Sequence, residues 1–274
     1  MCSLLPEPPA PRRGVTLTEL LIAVAVMAMM AVALSTLSTS VELIGSASRG
    51  RTEAVQHARV TLDRIQRTCR EATANASYPG FFAVPELVGS ESFPVSLVVW
   101  RPATSAANPS GAPLMSELVV YTTDATSPNQ LLELSDPTDT RTSPAWTNLS
   151  TWRSEIASLR SRTTARRVVL TKLLRTATAT NTTTGATQRL GTVRFDVSVR
   201  PSATEWSEFQ ANTRAWDEIS WVLDIYGNST GLRQSWCQIE LQLMPGTESF
   251  ATDTTGQSAI PFFGSAARYY MLSR

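Results

Sequence analysis

The chain has 274 residues, of which 42% are hydrophobic and 17% charged, and its formal net charge is +1. This is the composition of a globular protein, and a charge balance near zero argues against the basic surface that nucleic-acid binding requires. His57 is the only histidine. Most metal sites and most general-base mechanisms are therefore disfavoured.

The first 37 residues divide into a polar segment and an apolar one. Residues 1–14 are rich in proline, which excludes a helix, and they end in Arg12-Arg13-Gly14. Residues 15–37 are almost entirely apolar. As a helix rising about 1.5 Å per residue, they span a hydrocarbon core about 30 Å thick. The flanking arginines place residues 1–14 on the cytoplasmic side of the membrane.

Glu19 is the one charged residue in this apolar run. A carboxylate in a membrane span costs about 2.5–3.5 kcal/mol on insertion scales. A buried carboxylate that pairs with a buried ammonium group avoids being left as an uncompensated charge. Glu19 is therefore expected to have a partner or a function in the membrane.

The segment from Arg12-Arg13-Gly14 through Val15-Thr16-Leu17-Thr18-Glu19-Leu20 resembles the prepilin signal of type IV pilins and type II secretion pseudopilins. The resemblance implies that a prepilin peptidase cuts after Gly14 and methylates the new N-terminal amine of Val15. It implies that Glu19, the fifth mature residue, pairs with the N-terminal amine of a neighbouring subunit during filament assembly. Val15 departs from the pattern, because the family most often has phenylalanine or methionine there.

An ordinary secretory signal peptide is the alternative interpretation of this region. Arg12 and Arg13 would then be its basic part, and Ala31-Val32-Ala33 its cleavage site. The product would be a secreted or membrane-anchored β-rich binding domain. Glu19 argues against this alternative, because an acidic residue is unhelpful near the start of a signal peptide's apolar region. The helical pattern also continues past residue 37.

Residues 38–75 are more polar but keep a helical period. Apolar or small residues recur every three or four positions, and charged residues occupy the other faces. The members of this stripe are Val55, Ala58, Leu62, Ile65, Cys69 and Ala72. No proline occurs between residues 12 and 78, so one helix over residues 15–75 is predicted. Its stripe is expected to pack on a sheet.

From residue 76 onward, short apolar runs alternate with loops, which is typical of strands. Predicted strands cover residues 95–100, 117–122, 130–134, 167–174, 191–200, 219–226 and 233–243. Residues 193–200 and 236–243 alternate between apolar and polar side chains, as half-buried antiparallel strands do. The Thr-rich stretch at 176–188 is predicted to be either an exposed hairpin tip or a flexible excursion of the chain. A helix followed by strands indicates an α+β domain.

Three cysteines occur, and removal of residues 1–14 would take Cys2 away. Cys69 and Cys237 both fall on predicted apolar faces, so either a disulfide or two buried thiols is expected. Asp124, Asp136 and Asp139 lie in predicted loops, but they lack the spacing of a calcium loop and are interpreted as turn-forming residues. No metal or cofactor site and no catalytic residue set is predicted.

These features predict a structural, non-enzymatic subunit with a pilin-like α+β fold, in which a long N-terminal helix packs on an antiparallel sheet. Its expected parts are a leader (1–14), a transmembrane half-helix (15–37), an amphipathic continuation (38–75) and a β-rich head (76–274). The resemblance implies three partners: the prepilin peptidase, other pilins or pseudopilins, and the bacterial inner membrane. The head would be periplasmic before assembly. Removal of 14 residues from 274 leaves 260, a length that indicates a minor subunit at a tip or in a priming role. The segment at residues 60–72 resembles the post-membrane helix of W-type minor pilins and J-type minor pseudopilins.

Overall fold

The computed structural model describes residues 16–223, 229–245 and 259–272. The chain divides into two compact units, residues 1–49 and 50–274. The predicted α+β class is confirmed. In chain order the elements are α1 (Leu17–Arg70), β1 (Phe81–Val88), β2 (Glu91–Trp100), β3 (Leu118–Thr123), β4 (Leu131–Ser135), α2 (Leu149–Ser161), β5 (Arg166–Thr171), β6 (Thr176–Thr180), β7 (Thr187–Gly191), β8 (Val193–Arg200), α3 (Ala203–Gln210), α4 (Ser220–Leu223), β9 (Leu232–Leu243) and β10 (Ile260–Met271).

Helix α1 confirms the predicted long helix but ends at Arg70 rather than near residue 75. The helix stops because the following backbone pairs with the sheet: the Thr73 N–H donates to the Trp100 carbonyl at 2.8 Å. The predicted apolar stripe is correct except at its start. Ala54 is buried there, whereas Val55 is 40% exposed.

The five-stranded sheet, in the order β1-β2-β3-β4-β5, is antiparallel, and its central strands are largely buried on both faces. In strand β2, Leu97 and Val99 lie in the hydrophobic cluster that contains the α1 residues. Val98 and Trp100, on the opposite face, lie in the cluster that contains the α2 residues. Side chains alternate across a strand, so an uninterrupted apolar run serves two cores. Trp152 of α2 is fully buried in the second cluster.

A second antiparallel sheet has the order β10-β9-β8. The predicted alternation is confirmed: Phe195, Cys237, Ile239 and Leu241 are fully buried and join the α1 residues in the first cluster. Strand β10 approaches α1 closely at Gly264. A Cβ there would lie 2.9 Å from the Gln66 side chain, so glycine at this position permits the close packing of helix and strand.

The remaining parts are a hairpin and a small aromatic cluster. Strands β6 and β7 pair with each other, which places the predicted exposed hairpin at 176–188 as expected. The strand predicted at 219–226 is wrong over its described part. Ile219 and Trp221, next to and within the short helix α4, are buried with Trp206 and Phe209 of α3. Residues 224–226 lie outside the described ranges. A short apolar run does not by itself distinguish a strand from a buried helix.

Candidate functional site at the N-terminus

The helix begins with a reciprocal hydrogen-bond arrangement between Thr16 and Glu19. The backbone N–H and the hydroxyl of Thr16 donate to Glu19 Oε2 at 2.9 and 3.0 Å, and the Glu19 backbone N–H lies 3.3 Å from Thr16 Oγ1. This is a capping box, in which a threonine and a glutamate three residues later satisfy each other's backbone donors. Glu19 therefore helps to cap the N-terminus of α1, in addition to carrying the negative charge of this segment.

The capping box occupies one of the two carboxylate oxygens. Both bonds from Thr16 end on Oε2, and Oε1 accepts no hydrogen bond from the described residues. Gly14 and Val15, the predicted cleavage and methylation residues, lie outside the described ranges. A cut between them would leave the Thr16 amide in a peptide bond, so the capping box would survive processing. The sequence interpretation missed this role of Thr16, although the Thr-x-x-Glu spacing at 16–19 carries the signal.

The helix surface around Glu19 is apolar and exposed. Every residue from Thr16 to Ile44 is exposed within the structure, including Leu20, Met29 and Leu34 at 59%, 72% and 67%. Between residues 16 and 41 Glu19 is the only charged side chain. In length and composition α1 is suited to crossing a membrane. A bare apolar helix of this kind requires a hydrocarbon environment or neighbouring helices to cover it.

A family model for the prokaryotic N-terminal methylation motif matches residues 10–35. The matched range contains Gly14, Val15 and the whole Thr16–Glu19 capping box. This chain is type IV pilin-like. The matched motif belongs to the N-terminus, and no curated protein or solved structure matches the chain. The matched motif supports a processed subunit of the pilin-like or pseudopilin-like kind, and the apolar helix is consistent with a membrane anchor.

The two cysteines that the processed chain would keep are free thiols in the structure. Cys69 of α1 and Cys237 of β9 are fully buried in the same hydrophobic cluster. Both side chains therefore act as small apolar groups in the structure, and the disulfide, the other of the two sequence expectations, stays a prediction. Burial raises the pKa of the Cys69 thiol to about 12, and it raises the pKa of Cys237 well above its ordinary value. Neither thiol is poised as a nucleophile.

The loop aspartates stabilise local structure. Asp124 Oδ1 accepts hydrogen bonds from the Thr126 and Ser127 backbone N–H groups at 2.7 and 2.9 Å, while Asp136 and Asp139 contact Arg162. Each carboxylate is thus occupied by turn donors and guanidinium groups. The described residues contain no group of three or more His, Cys, Asp or Glu side chains that could hold a metal ion.

Proposed function

We propose that the chain is a minor subunit of a type IV pilus or type II secretion pseudopilus, at the tip or in a priming complex. A prepilin peptidase would cut after Gly14 and methylate Val15. The processed subunit would remain anchored in the inner membrane with its head in the periplasm. It would then assemble into a filament with other pilins or pseudopilins. It would act as a structural part and not as an enzyme. Its size favours the pilus over the secretion system.

The observation that carries this proposal is the isolated charge of Glu19 inside the matched motif and on an exposed apolar helix. Oε1 accepts no hydrogen bond from the described residues and is available to an ammonium group on a neighbour. Loss of one partner from a buried ion pair costs about 3–5 kcal/mol, and about 1.4 kcal/mol corresponds to a tenfold change in an equilibrium constant. Subunits without the Glu19 charge are therefore expected to enter filaments at least about a hundredfold less well.

The test compares Glu19→Gln with Thr16→Ala in cells that assemble the filament. Glutamine at this position can still complete the capping box, so Glu19→Gln removes only the charge, whereas Thr16→Ala removes the cap and keeps the charge. Glu42→Gln is the matched control, because Glu42 is the next acidic residue on the same helix. The measured quantities are the cleaved subunit in the membrane and the subunit in sheared filaments.

Glu19→Gln is expected to be cleaved and to accumulate in the membrane, but to be missing from filaments. Thr16→Ala and Glu42→Gln are expected to assemble. If Glu19→Gln enters filaments as efficiently as the unmodified chain, the pairing role of this carboxylate is wrong. If Thr16→Ala alone fails to enter filaments, assembly requires the helix cap and not the charge of Glu19.

A further inference from the structure

The hairpin formed by β6 and β7 has an open edge on its β6 side. The two strands form a sheet of their own, so β6 has no second neighbouring strand in the part of the chain that the structure describes. The opposite side of the hairpin is closed. There β7 meets the loop at residues 124–129 so closely that a Cβ on Gly191 would collide with the Pro128 carbonyl oxygen. We propose that the open β6 edges of two copies of this chain pair with each other as antiparallel strands.

The hydrogen bonds at the two ends of β6 show which backbone groups lie on its open edge. The Asn181 N–H donates to the Ala186 carbonyl at 2.8 Å, and the Thr192 N–H donates to the Arg175 carbonyl at 2.7 Å. Positions 175 and 181 therefore face the β7 side, and so do the alternate positions between them. The N–H and C=O groups that point the other way belong to Thr176, Thr178 and Thr180. These groups, the β6 edge, have no hydrogen-bond partner among the described residues.

The β6 edge lacks the features by which proteins prevent edge strands from pairing. Such features are charged side chains, prolines and bulges. Strand β1 has Pro85 at a bulge, and strand β5 begins with two exposed arginines. Strand β10 has Pro261 near its start. Residues 176–188 contain neither a charged residue nor a proline, so the β6 edge is open to another strand.

The sequence of β6 favours a second copy of the chain as the partner. Thr-Ala-Thr-Ala-Thr reads the same in both directions, so two antiparallel copies centred on Thr178 match threonine with threonine and alanine with alanine. Each threonine of the β6 edge then exchanges both of its backbone hydrogen bonds with a threonine of the other copy. Cross-strand threonine pairs stabilise a sheet, whereas like charges directly opposite each other destabilise it. An uncharged palindromic strand is thus complementary to itself.

A two-fold contact of this kind closes after two copies, whereas a filament needs a contact that repeats without closing. The pairing of β6 edges is therefore separate from the proposed contact of Glu19 in a filament. It goes beyond the proposed function and does not depend on the N-terminal motif.

Disulfide trapping between two cysteine variants tests the register of this pair. Ala177 of one copy lies opposite Ala179 of the other in a non-hydrogen-bonded pair, with Cα atoms about 4.5 Å apart. A disulfide requires a Cα separation of about 4.4–6.8 Å. The two Ala177 residues of the pair lie diagonally, about 7–8 Å apart, and so do its two Ala179 residues. Only the mixed combination can therefore form the bond without backbone movement.

Full chains with Ala177→Cys and full chains with Ala179→Cys are mixed in detergent and oxidised with copper phenanthroline. Non-reducing electrophoresis measures the disulfide-linked dimer, and each variant alone is the matched control. All chains also carry Cys2→Ser, while the native Cys69 and Cys237 are buried. Thr178→Pro, added to both chains, removes the central N–H donor of the β6 edge without removing a bond to β7. Tryptophan fluorescence melting verifies that each variant folds.

The mixture is expected to give at least about tenfold more dimer than either variant alone. Thr178→Pro is expected to lower the yield of the mixture at least about tenfold, because it removes two hydrogen bonds from the pair. Equal yields from the mixture and the separate variants would overturn the proposal. So would the absence of dimer in the mixture, or a yield that Thr178→Pro leaves unchanged. Processing of the N-terminus is measured separately, so failure here leaves the proposed function untouched.

Discussion

Replacement of Arg64 by methionine tests how α1 is fixed to the five-stranded sheet. Arg64 Nε and Nη2 each donate to a different oxygen of Glu133 on β4 at 2.8 Å. The Tyr121 hydroxyl lies 3.1 Å from Glu133 Oε2 and 2.8 Å from Thr68 Oγ1. The Glu133 side chain is only 12% exposed, so removal of the guanidinium group leaves a largely buried carboxylate with one neutral partner.

The expected cost follows from that exposure. Hydrogen bonds to charged groups contribute about 1.5–3 kcal/mol, and the lower end applies because the Arg64 side chain is 47% exposed to water. A loss of about 1.5–2 kcal/mol lowers the melting temperature by about 3–8 °C for a unit of this size. Arg67→Met is the matched control on the same helix. Its partner Asp63 is 56% exposed, and such pairs contribute only about 0.3–0.5 kcal/mol.

The assay is thermal unfolding of the full chain in detergent, followed by tryptophan fluorescence. All seven tryptophans lie between residues 100 and 236, so the signal reports the second unit alone. The double variant Arg64→Met with Glu133→Gln is expected to recover part of the loss, because it removes the unpaired charge. Equal melting temperatures for Arg64→Met and Arg67→Met at pH 7 would refute this account of the pair.

The pH dependence provides a second check on the same pair. Burial alone would raise the pKa of Glu133, but the hydrogen bonds and charge of Arg64 outweigh burial and lower it. A carboxyl group with a lowered folded-state pKa contributes stability above its unfolded pKa of about 4.3, and this contribution is lost as the pH falls through the folded value. The difference between Arg64→Met and the unmodified chain is therefore expected to shrink between pH 6 and pH 3.

Three further predictions concern the second unit. Ile65→Ala is expected to cost about 2–5 kcal/mol, since Ile65 is fully buried between α1 and the sheets, and the same melting assay measures it. In the chain without residues 1–14, Cys69 and Cys237 are expected to resist a thiol reagent while the protein is folded. Both are expected to react once the protein is unfolded without reductant. An unfolded sample with no reactive thiol would instead indicate a disulfide. The hydrogen bond from Arg141 holds the pKa of Asp139 well below its ordinary value, so the loss of stability in Asp139→Asn should be full near pH 7 and should fall as the pH drops below about 4.

The sequence predicts the elements whose pattern is local. The long helix and the alternating strands β8 and β9 carry periods of 3.6 and 2 residues, so the interpretation of these segments is confirmed. Six of the seven predicted strands are confirmed, with ends that differ by a few residues. The prediction that Val55 is buried is wrong, because a helical period does not show at which residue the helix first contacts the rest of its unit.

The sequence misses elements whose identity depends on tertiary packing. Strand β1 contains Pro85 and begins directly after Gly80, a pattern that is typical of a loop. In the structure β1 is an edge strand, and its Phe81 and Phe82 are buried in the two different hydrophobic clusters. Strand β10 was missed as well. Its strand conformation depends on antiparallel pairing with β9, and no local sequence pattern shows that pairing. Helix α2 follows a capping residue, Asn148, whose bond to Thr151 was not recognised.

At the N-terminus the motif residues were accessible from the sequence, because Glu19 is a lone acid in an apolar run. The capping role of Thr16 is indicated by the Thr-x-x-Glu spacing, but hydropathy alone does not reveal it and the sequence interpretation missed it. A cleft of about 370 Å³ between the loop at residues 124–129 and strand β7 was also not predicted, because its lining comes from segments far apart in the chain.

The central claim is the processing of the N-terminus, and intact mass with N-terminal peptide sequencing tests it most directly. The full chain is expressed with and without a prepilin peptidase. We predict a chain that begins at N-methylated Val15 only when the peptidase is present, and an uncut chain without it. A mature chain that begins near residue 34 whether or not the peptidase is present would contradict the account and indicate a conventionally secreted β-rich domain.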